Sequence, residues 1–492
     1  KTMKNIKKLT ILHSNDLHGD FLAESIDEQL VGGISLLSGY INKTREETEN
    51  VIYAIAGDMF RGSVIDSEYR GISTIEIMNA LAPDVVTIGN HEVDYGIAHL
   101  LFIEKCAKFP IINANMYIKT NGARLFKPYE IIEIDGMKVL FIGIVTEDVL
   151  ASAKQEGLIG TIIDTEDAAN EIGKICNAFN GIDIDFTVLL THIGFEEDKK
   201  LAELLNPEWG VDIIIGGHSH TVLEQPEIIN GIPIVQAGTG TDAIGRFDID
   251  VDTDNNYIDS FKWQFIPITD RNCPKDHQIE EIIMGYKNIT DIKYGRVVSK
   301  FKHVLTHPQR NKETALGNLV ADIAKESLGL DLMMFGSGSI RKTELGPIVT
   351  FGKLTECFPY AGLVHQVNVT ADQLRRMLLH IFRDEAWTGH TEFYQLSKGI
   401  KLIYSKTKQE FEVATLNGEE LKGDKVYKIG IQDFHFMNFN DFFGIDIDET
   451  HKNGKPRVIS TSDFDVLNEH LSSHNVVDSV VEGRMIVVEW YI

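Results

Sequence analysis

Six short apolar runs, each followed by polar residues, are the feature that most limits the folds open to this chain. They lie within residues 1–266 and read LTILHSND, VIYAIAGD, VVTIGNHE, KVLFIGIV, FTVLLTH and VDIIIGGHSH. Apolar, β-branched stretches of this length, without alternation, are typical of strands buried on both faces. The pattern therefore predicts an α/β fold with a sheet covered by helices. Apolar residues at helical spacing in 68–82 and 165–179 predict two of those helices.

A change of pattern after residue 266 predicts a second domain. The segment 267–300 carries Pro267, Pro274 and one helix-like stretch, which is typical of a linker with a connecting helix. A new series then begins, with a helix-like stretch at ETALGNLVADIAKESLG and strand-like runs near 331–336, 399–404, 426–431 and 485–490. A chain of 492 residues exceeds what one hydrophobic core usually serves. We therefore predict domains at 1–266 and 301–492, joined by a linker or hinge helix at 267–300.

The charge balance limits the partners of this protein. The chain has 47 Lys and Arg residues against 73 Asp and Glu residues, which gives a formal net charge of −26. Such a surface repels phosphate backbones and anionic lipid, so we expect neither nucleic acid nor a membrane as a partner. A small anionic substrate then requires a local cationic centre, most naturally a metal. We expect no obligate protein partner.

The cysteines and the apolar runs bear on the compartment. Cys106, Cys176, Cys273 and Cys357 lie far apart without a C-x-x-C pair, which favours buried free thiols over disulfides or a cysteine zinc site. No run of 18 apolar residues occurs, so we expect no membrane span. The basic start is followed by too few apolar residues for a secretory signal. We expect a cytoplasmic protein, or a secreted or periplasmic one if a signal peptide was removed.

Five of the polar clusters contain side chains that bind metals. In chain order these are Asp16, His18, Asp58, Asn90, His192, His218 and His220. Because the carboxyl ends of strands in an open α/β sheet converge on one crevice, the clusters are expected to meet. An oxygen and nitrogen ligand set without sulfur suits Mn, Fe, Co or Zn. It is large enough for two ions if a carboxylate bridges them, and ions about 3.5–4 Å apart suit phosphoryl-ester hydrolysis.

The series D-x-H, G-D, G-N-H-E, T-H and G-H-x-H resembles the signature of calcineurin-like metallophosphoesterases. The fuller strings GDMFRGS and IGNHEVDYG, with a distinct C-terminal domain, resemble the bacterial 5′-nucleotidase family. The resemblance implies an α/β chain with an N-terminal four-layer β-sandwich flanked by helices, a linker helix and a smaller α/β C-terminal substrate-binding domain. It also implies a dinuclear-metal phosphohydrolase, foremost a 5′-nucleotidase that releases phosphate from nucleoside phosphates by attack of a metal-bound hydroxide.

Carried over by position, the resemblance implies a role for each ligand. Asp16, His18 and His220 would bind one divalent metal ion, and Asn90, His192 and His218 would bind a second. Asp58 would bridge them, as a carboxylate can and a histidine cannot. Many family members have Gln at the position of His220, so the preference among Mn, Zn, Fe and Co is expected to differ here.

His91 and Asp94 match the catalytic dyad of the family. His91 would stabilise the phosphoryl charge or protonate the leaving oxygen, and Asp94 would orient the imidazole. A histidine with a carboxylate partner is a competent acid near neutral pH.

The C-terminal domain of the family holds the nucleotide, with arginines on the phosphate and two aromatic rings around the base. The matching positions here are Arg310, Arg341, Phe393, either Phe434 or Phe436, and Asp441. Two departures are visible: GSGS at 336–339 replaces the family's N-G-G-G, and NFNDF at 438–442 replaces G-G-D-G. Because glycines let a backbone turn tightly beneath a ligand, these changes alter the substrate surface.

More than one function fits these residues. A 2′,3′-cyclic-nucleotide phosphodiesterase or a UDP-sugar hydrolase would use the same metal ligands as a 5′-nucleotidase. A catalytically silent module that senses a small anion is the alternative from another class. A silent module would tolerate the loss of ligands, and every ligand position of the signature is filled here, which favours an enzyme.

Overall fold

The computed structural model describes residues 4–147, 149, 159–160, 164–388 and 392–489. The chain forms two compact units, Lys1–Thr290 and Asp291–Ile492. The division falls within the segment 267–300, which the sequence pattern predicts as a linker, and the helix His277–Tyr294 spans it.

Unit 1 contains two six-stranded sheets. In spatial order the first consists of Tyr257–Pro267, Ala243–Asp252, Ile6–Ser14, Val51–Ala56, Val85–Thr87 and Ile111–Ile112. The second consists of Glu227–Ile229, Ile232–Val235, Ile213–Ile215, Phe186–His192, Met137–Val145 and Tyr129–Ile134. Each sheet is mixed: Ile6–Ser14 pairs in parallel with Val51–Ala56 and antiparallel with Ala243–Asp252.

Helices cover the outer face of each sheet of unit 1. The helices Ile34–Glu47, Ile72–Leu81 and Ile97–Cys106 bury their apolar residues with the first sheet. The helices Thr165–Ala178 and Phe195–Leu204 pack on the second. Between the sheets, Leu9, Phe141 and Phe186 belong to one fully buried core. The helix–sheet–sheet–helix order confirms the predicted four-layer α/β sandwich, whereas the apolar runs alone predicted a single sheet covered by helices.

The helix boundaries follow local sequence signals. Thr165–Ala178 begins where the Asp164 side chain accepts a hydrogen bond from the backbone N–H of Asp167. The stretch predicted as one helix at 68–82 is broken, because Gly71 adopts a left-handed conformation with φ of 84°. The structure has a short helix at Val64–Glu68 and a second at Ile72–Leu81.

Unit 2 is a smaller α/β body. Its five-stranded sheet consists of Tyr394–Leu396, Leu332–Gly336, Val426–Gln432, Val364–Thr370 and Arg457–Ser460. Its four-stranded sheet consists of Glu419–Glu420, Glu410–Leu416, Ile400–Ser405 and Met485–Val488. The helices are Ala315–Leu328, Phe351–Cys357, Ala371–Ile381, Asp433–Met437, Phe439–Phe443 and Asp463–Ser472. All four predicted strands are present, although the last ends at Val488 and residue 490 lies outside the described residues.

Short ribbons complete the two units. They are Glu24–Ile26 with Gln29–Val31, Tyr117–Ile118 with Ile159–Gly160, Val297–Lys300 with Ile348–Thr350, and Leu305–Thr306 with Glu344–Leu345. The four cysteines are free thiols, as predicted. Cys106 is exposed, which corrects the prediction that all four are buried, because it lies at the last turn of a surface helix. Within the described ranges, no helix has both the length and the apolar character needed to cross a membrane.

Candidate functional site

The predicted metal ligands lie on the loops that follow five strands of unit 1, at one edge of the sandwich. The first sheet supplies those after Ile6–Ser14, Val51–Ala56 and Val85–Thr87, which are Asp16, His18, Asp58 and Asn90. The second sheet supplies those at the ends of Phe186–His192 and Ile213–Ile215, which are His192, His218 and His220. Both sheets therefore contribute to one cluster, as expected for strands that end at a shared edge.

Six of these side chains form two groups. Asp16, His18 and His220 offer ligand atoms within 4.8 Å of one another, and so do Asp58, His192 and His218. Asn90 joins the second group, because its Oδ1 lies 3.1 Å from His192 Nε2 and 3.0 Å from His218 Nδ1. The fold therefore brings the seven predicted ligands together in two candidate metal sites.

Asp58 lies between the two groups. Its Oδ2 atom is 3.0 Å from Nε2 of His192 in the second group and 3.9 Å from Nε2 of His18 in the first. Its Oδ1 atom accepts a hydrogen bond of 2.9 Å from the backbone N–H of His91. The carboxylate is thus held at one oxygen and directed toward both groups by the other, which is the position of a bridging ligand.

The hydrogen bonding of Asp16 shows that these residues fit cations. Its Oδ2 atom accepts bonds from the side-chain amide of Asn15 at 2.6 Å and from the backbone N–H of His218 at 2.9 Å. Its Oδ1 atom is buried and accepts no hydrogen bond, although Nε2 of His220 lies 3.3 Å away. A buried carboxylate oxygen without a partner is costly, and a bound cation would remove that cost.

The imidazoles are oriented by the backbone. Nδ1 of His18 lies 3.2 Å from the carbonyl oxygen of Phe60, and Nδ1 of His192 lies 2.7 Å from that of Ala56. Donation from Nδ1 to a carbonyl directs Nε2 toward a metal, as is usual for histidine ligands. Burial lowers the pKa of His192, but the charges of Asp58 and Asp16 outweigh burial and raise it above its ordinary value. The cluster therefore favours positive charge, which a divalent cation would supply.

The backbone at the ligands is strained. Five ligand positions have left-handed φ angles that side chains rarely adopt, namely Asp16 (53°), His18 (49°), Asp58 (57°), His218 (82°) and His220 (55°). Such residues cost on the order of 1–3 kcal/mol each and concentrate at functional sites. Gly89 allows Asp58 to approach closely, because a Cβ at Gly89 would lie 2.2 Å from Oδ1 of Asp58.

Glu92 holds two of these loops together, and the sequence did not predict that role. Its carboxylate accepts hydrogen bonds from the backbone N–H groups of Asp58 (2.9 Å), Met59 (2.6 Å) and Gly89 (2.5 Å). Burial, followed by the charge of Asp58, raises the pKa of this carboxyl to about 7. The available signal was its place in GNHE, since a buried polar residue at a strand end needs partners.

The predicted dyad is formed in the structure. Nδ1 of His91 lies 2.7 Å from Oδ2 of Asp94, and the His91 ring is 5.3 Å from the ring of His18. Burial opposes protonation of His91, but Asp94 and the charge of Asp58 outweigh it, so its pKa is raised. Because Nδ1 of His91 is the atom that contacts Asp94, Nε2 can face a substrate beside the first metal group. Arg61 also contacts Asp94, which the sequence did not predict.

The predicted substrate residues of unit 2 lie near the carboxyl ends of two neighbouring parallel strands. Arg341 follows Leu332–Gly336 and is exposed. The helix Asp433–Met437, which carries Phe434 and Phe436, follows Val426–Gln432. Arg310 lies close to the loop that follows Leu332–Gly336. A Cβ at Gly338, in that loop, would lie 2.4 Å from Nη2 of Arg310. Arg310 is paired with Glu392, whose carboxylate oxygens are 3.1 and 3.3 Å from Nη2.

The aromatic residues of unit 2 differ in exposure, and Phe393 requires a correction. Phe393 is only 2% exposed and packs between Phe382 and Trp387, at ring distances of 5.8 and 5.9 Å. Its ring belongs to the core and has no open face for a base. Phe436 is half-buried and stacks in parallel on His365 at 3.9 Å. Phe434 is 59% exposed.

The replaced glycine turn forms a short helix, Phe439–Phe443. Asp441 lies in that helix and is exposed, and its backbone carbonyl accepts a hydrogen bond of 2.9 Å from Nε2 of His380. Asp441 is therefore available at the surface. Residues 439–443 form a helix instead of a glycine turn, and Phe439 and Phe443 of this helix are buried.

Comparison with known proteins agrees with this architecture. Residues 9–222 match the family described as calcineurin-like phosphoesterase, and residues 297–444 match the 5′-nucleotidase C-terminal domain. A 5′-nucleotidase of Mus musculus is 26% identical across 97% of this chain and 90% of its own length. A trifunctional nucleotide phosphoesterase protein of Bacillus subtilis is 26% identical across 97% of this chain and 35% of its own length.

A solved structure shows the same fold over the whole chain. A 5′-nucleotidase precursor from Thermus thermophilus superposes with a TM-score of 0.76 at 23% identity, covering 98% of this chain and 99% of that one. A metallophosphoesterase fold implies divalent metal ions, which agrees with the two candidate sites of unit 1. The chain belongs to the calcineurin-like metallophosphoesterases that carry a 5′-nucleotidase C-terminal domain, and it is a metal-dependent phosphoric ester hydrolase.

Proposed function

We propose that this hydrolase is a 5′-nucleotidase, which releases inorganic phosphate from nucleoside 5′-monophosphates. The observation that carries the proposal is the pair of metal groups joined by Asp58, in a chain whose 26% identity to a mammalian 5′-nucleotidase extends over both units. The similarity over both units supports a nucleotide substrate, because a metal centre by itself could hydrolyse many phosphoric esters.

The residues of unit 1 would divide the work of holding two cations. Asp16, His18 and His220 would hold one, while Asn90, His192 and His218 would hold the other. Bound divalent cations neutralise phosphoryl charge and activate water for in-line attack. The oxygen and imidazole ligands suit Mn, Zn, Fe or Co.

His91 would act on the leaving group. Asp94 fixes its Nδ1 atom at 2.7 Å, which sets the tautomer and the plane of the ring. The Nε2 atom can then hold a proton for the leaving ribose oxygen or donate a hydrogen bond to a phosphoryl oxygen. A positioned acid of this kind is worth about 10²–10⁴ in rate.

Unit 2 would recognise the nucleoside. Phe434 offers an exposed ring on which a base could stack, and base stacking tolerates any base because each has a π-face. Arg341 offers an exposed guanidinium, whose planar fork matches anionic groups. Arg310 is paired with Glu392 through Nη2, so Glu392 would compete with an anionic ligand for this guanidinium.

Hydrolysis of a substrate panel tests the proposal, followed as inorganic phosphate for the monoesters and by chromatography of the products for the cyclic nucleotide and the sugar nucleotide. The panel contains AMP, UMP, 2′,3′-cyclic AMP, UDP-glucose and p-nitrophenyl phosphate, each assayed with Mn²⁺ or Zn²⁺ and after treatment with EDTA. We expect the highest kcat/KM for the 5′-monophosphates and no turnover in EDTA until a cation is restored. Turnover of the cyclic nucleotide or of UDP-glucose with inert monophosphates would contradict it.

A cyclic-nucleotide phosphodiesterase is the second candidate. Nearly all of this chain is similar to a trifunctional nucleotide phosphoesterase protein of Bacillus subtilis. This similarity supports the proposal that the chain hydrolyses more than one kind of nucleotide ester. This chain is also similar to a protein named as an endonuclease, so DNA belongs in the same panel. The net charge of −26 predicts no cleavage of DNA.

A further inference from the structure

One carboxylate oxygen of Asp94 contacts two basic side chains. Oδ2 of Asp94 lies 2.7 Å from Nδ1 of His91 and 3.0 Å from Nε of Arg61. Arg61 lies 33 positions from Asp94 in the chain and belongs to the loop after Val51–Ala56, which also carries Asp58. The dyad is therefore tied to the loop of the bridging ligand by an ion pair.

The backbone of Arg61 is held in an unfavourable conformation. Its φ angle is 68°, in the left-handed region that favours glycine, and its N–H donates to Oδ2 of Asp66 at 2.8 Å. Asp66 is buried and also accepts a bond of 2.5 Å from the hydroxyl of Tyr95. A non-glycine residue kept in this region by surrounding contacts points to a function for its side chain.

The guanidinium is packed as well as paired. Its central carbon lies 5.5 Å from the centre of the Tyr95 ring. The exposed side-chain fractions are 28% for Arg61 and 13% for Asp94, so solvent screens this pair less than a surface pair. Tyr95 and Asp66 thus limit where the guanidinium can go, and Arg61 in turn limits where the Asp94 carboxylate can go.

We propose that Arg61 is a positioning residue of the dyad. It holds the Asp94 carboxylate in the orientation that directs Nε2 of His91 to the leaving oxygen. This inference rests on the proposed role of His91 in ester hydrolysis, although it does not depend on which ester is the substrate. Lysine cannot substitute fully, because its ammonium is a point charge on a flexible stem, whereas the planar guanidinium packs on the Tyr95 ring and presents Nε to Asp94.

Leaving-group dependence tests the proposal. The variants are Arg61→Gln, Arg61→Lys, Asp94→Asn and the Arg61→Gln/Asp94→Asn double variant, assayed on phenyl phosphate and p-nitrophenyl phosphate. For Arg61→Gln we expect kcat on phenyl phosphate to fall by roughly 10- to 100-fold. The loss is smaller on p-nitrophenyl phosphate, whose better leaving group needs less help from an acid. We expect Arg61→Lys to recover part of the loss.

Two further measurements separate positioning from other roles. The double variant is expected to be no slower than Asp94→Asn alone, because Arg61 acts through Asp94. KM, inhibition by inorganic phosphate and metal content per chain are expected to match the wild-type values. Arg70→Gln is the matched control: Arg70 donates to the backbone carbonyl of Tyr95 at 3.2 Å and is exposed.

Three results would overturn the proposal. Multiplicative losses in the double variant would show that Arg61 acts independently of Asp94. A higher KM or weaker phosphate inhibition with unchanged kcat would place Arg61 on the substrate phosphate. Equal losses on both esters, with a lowered Tm, would reduce it to a structural ion pair. If Arg61→Gln does not fold, the same comparisons are made with Arg61→Lys, and full activity of that variant counts against positioning.

The aryl phosphates keep this test distinct from the test of nucleotide hydrolysis. If the wild-type protein hydrolyses them but no nucleotide, the 5′-nucleotidase proposal fails while the Arg61 measurements remain readable.

Discussion

The Nε2 atoms of His18 and His220 face each other at 3.2 Å. Nδ1 of His18 lies against the carbonyl of Phe60, so its proton belongs on Nδ1 and Nε2 presents a lone pair. Two imidazole nitrogens at this distance are mutually repulsive unless a proton or a cation lies between them. With Asp16 Oδ1 3.3 Å from Nε2 of His220, a cation satisfies all three atoms.

His220→Gln is expected to keep turnover while changing the preferred metal. An amide oxygen is a harder ligand than imidazole, so activity with Mn²⁺ is expected to rise relative to activity with Zn²⁺. The measurement is kcat/KM for p-nitrophenyl phosphate with each metal. His277→Gln serves as the control, because the side chain of His277 is 85% exposed and distant in sequence from the ligands. An unchanged Mn/Zn ratio would remove His220 from the first metal group.

His91→Ala is expected to leave both cations bound and to lower kcat by about 10²–10⁴. The reason is that its side chain contacts Asp94, while the ligand atoms of both metal groups belong to other residues. Metal analysis of the purified variant beside its steady-state kinetics checks this. Loss of metal with a high residual rate would make His91 a ligand instead of an acid.

Phe393 and Phe434 are expected to behave differently when each is changed to Ala. Phe393→Ala removes a buried ring and is expected to lower the free energy of unfolding by about 3–5 kcal/mol. Phe434→Ala removes an exposed ring, so stability changes little. For Phe434→Ala, the transition-state stabilisation of nucleotides, measured through kcat/KM, is expected to fall by about 1–3 kcal/mol. The kcat/KM of this variant for p-nitrophenyl phosphate is expected to stay unchanged. Equal losses on both substrates would exclude base stacking on Phe434.

His13 makes the stability of the protein depend on pH. Its ring is fully buried and its Nε2 accepts a hydrogen bond of 3.0 Å from Nε1 of Trp263. Burial lowers the pKa of His13 to about 3, while the unfolded value is about 6.5. The unfolded chain therefore takes up the proton first, so stability is fully present above about pH 6.5 and is lost as pH falls toward 3.

Comparison with His13→Gln isolates this contribution. Between pH 6 and 4, the free energy of unfolding of the wild-type protein is expected to fall more steeply, by up to about 1.4 kcal/mol per pH unit. Urea unfolding at several pH values measures the two slopes. Parallel slopes would mean that His13 is protonated without unfolding.

The sequence predicted that the metal ligands meet because strand ends have fixed places in a sheet, whereas the family resemblance supplied their division into two groups. Each ligand follows an apolar run, and runs that form neighbouring strands must bring those residues to one edge. The number of sheets was harder to predict from the runs. A strand covered by a second sheet and a strand covered by helices bury the same apolar residues, so only the family resemblance indicated four layers.

Phe393 and Arg61 mark where prediction from sequence stopped. The string EFYQ matches a motif, but whether the Phe393 ring faces a ligand or the core depends on how the segment that carries Phe382 and Trp387 folds against it. Arg61 contacts Asp94 across 33 positions, and no periodicity relates two loops on different strands. Contacts of this kind depend on tertiary structure.

Metal content and phosphate release of Asp58→Asn test the dinuclear centre most directly. Asp58 contacts both groups through one oxygen, so replacing its charge with an amide removes the bridge that holds two cations together. The wild-type protein, loaded with Mn²⁺ or Zn²⁺ and desalted, is expected to retain two ions per chain, and Asp58→Asn at most one, with turnover nearly abolished. Two retained ions and wild-type turnover in Asp58→Asn would contradict a centre bridged by this carboxylate.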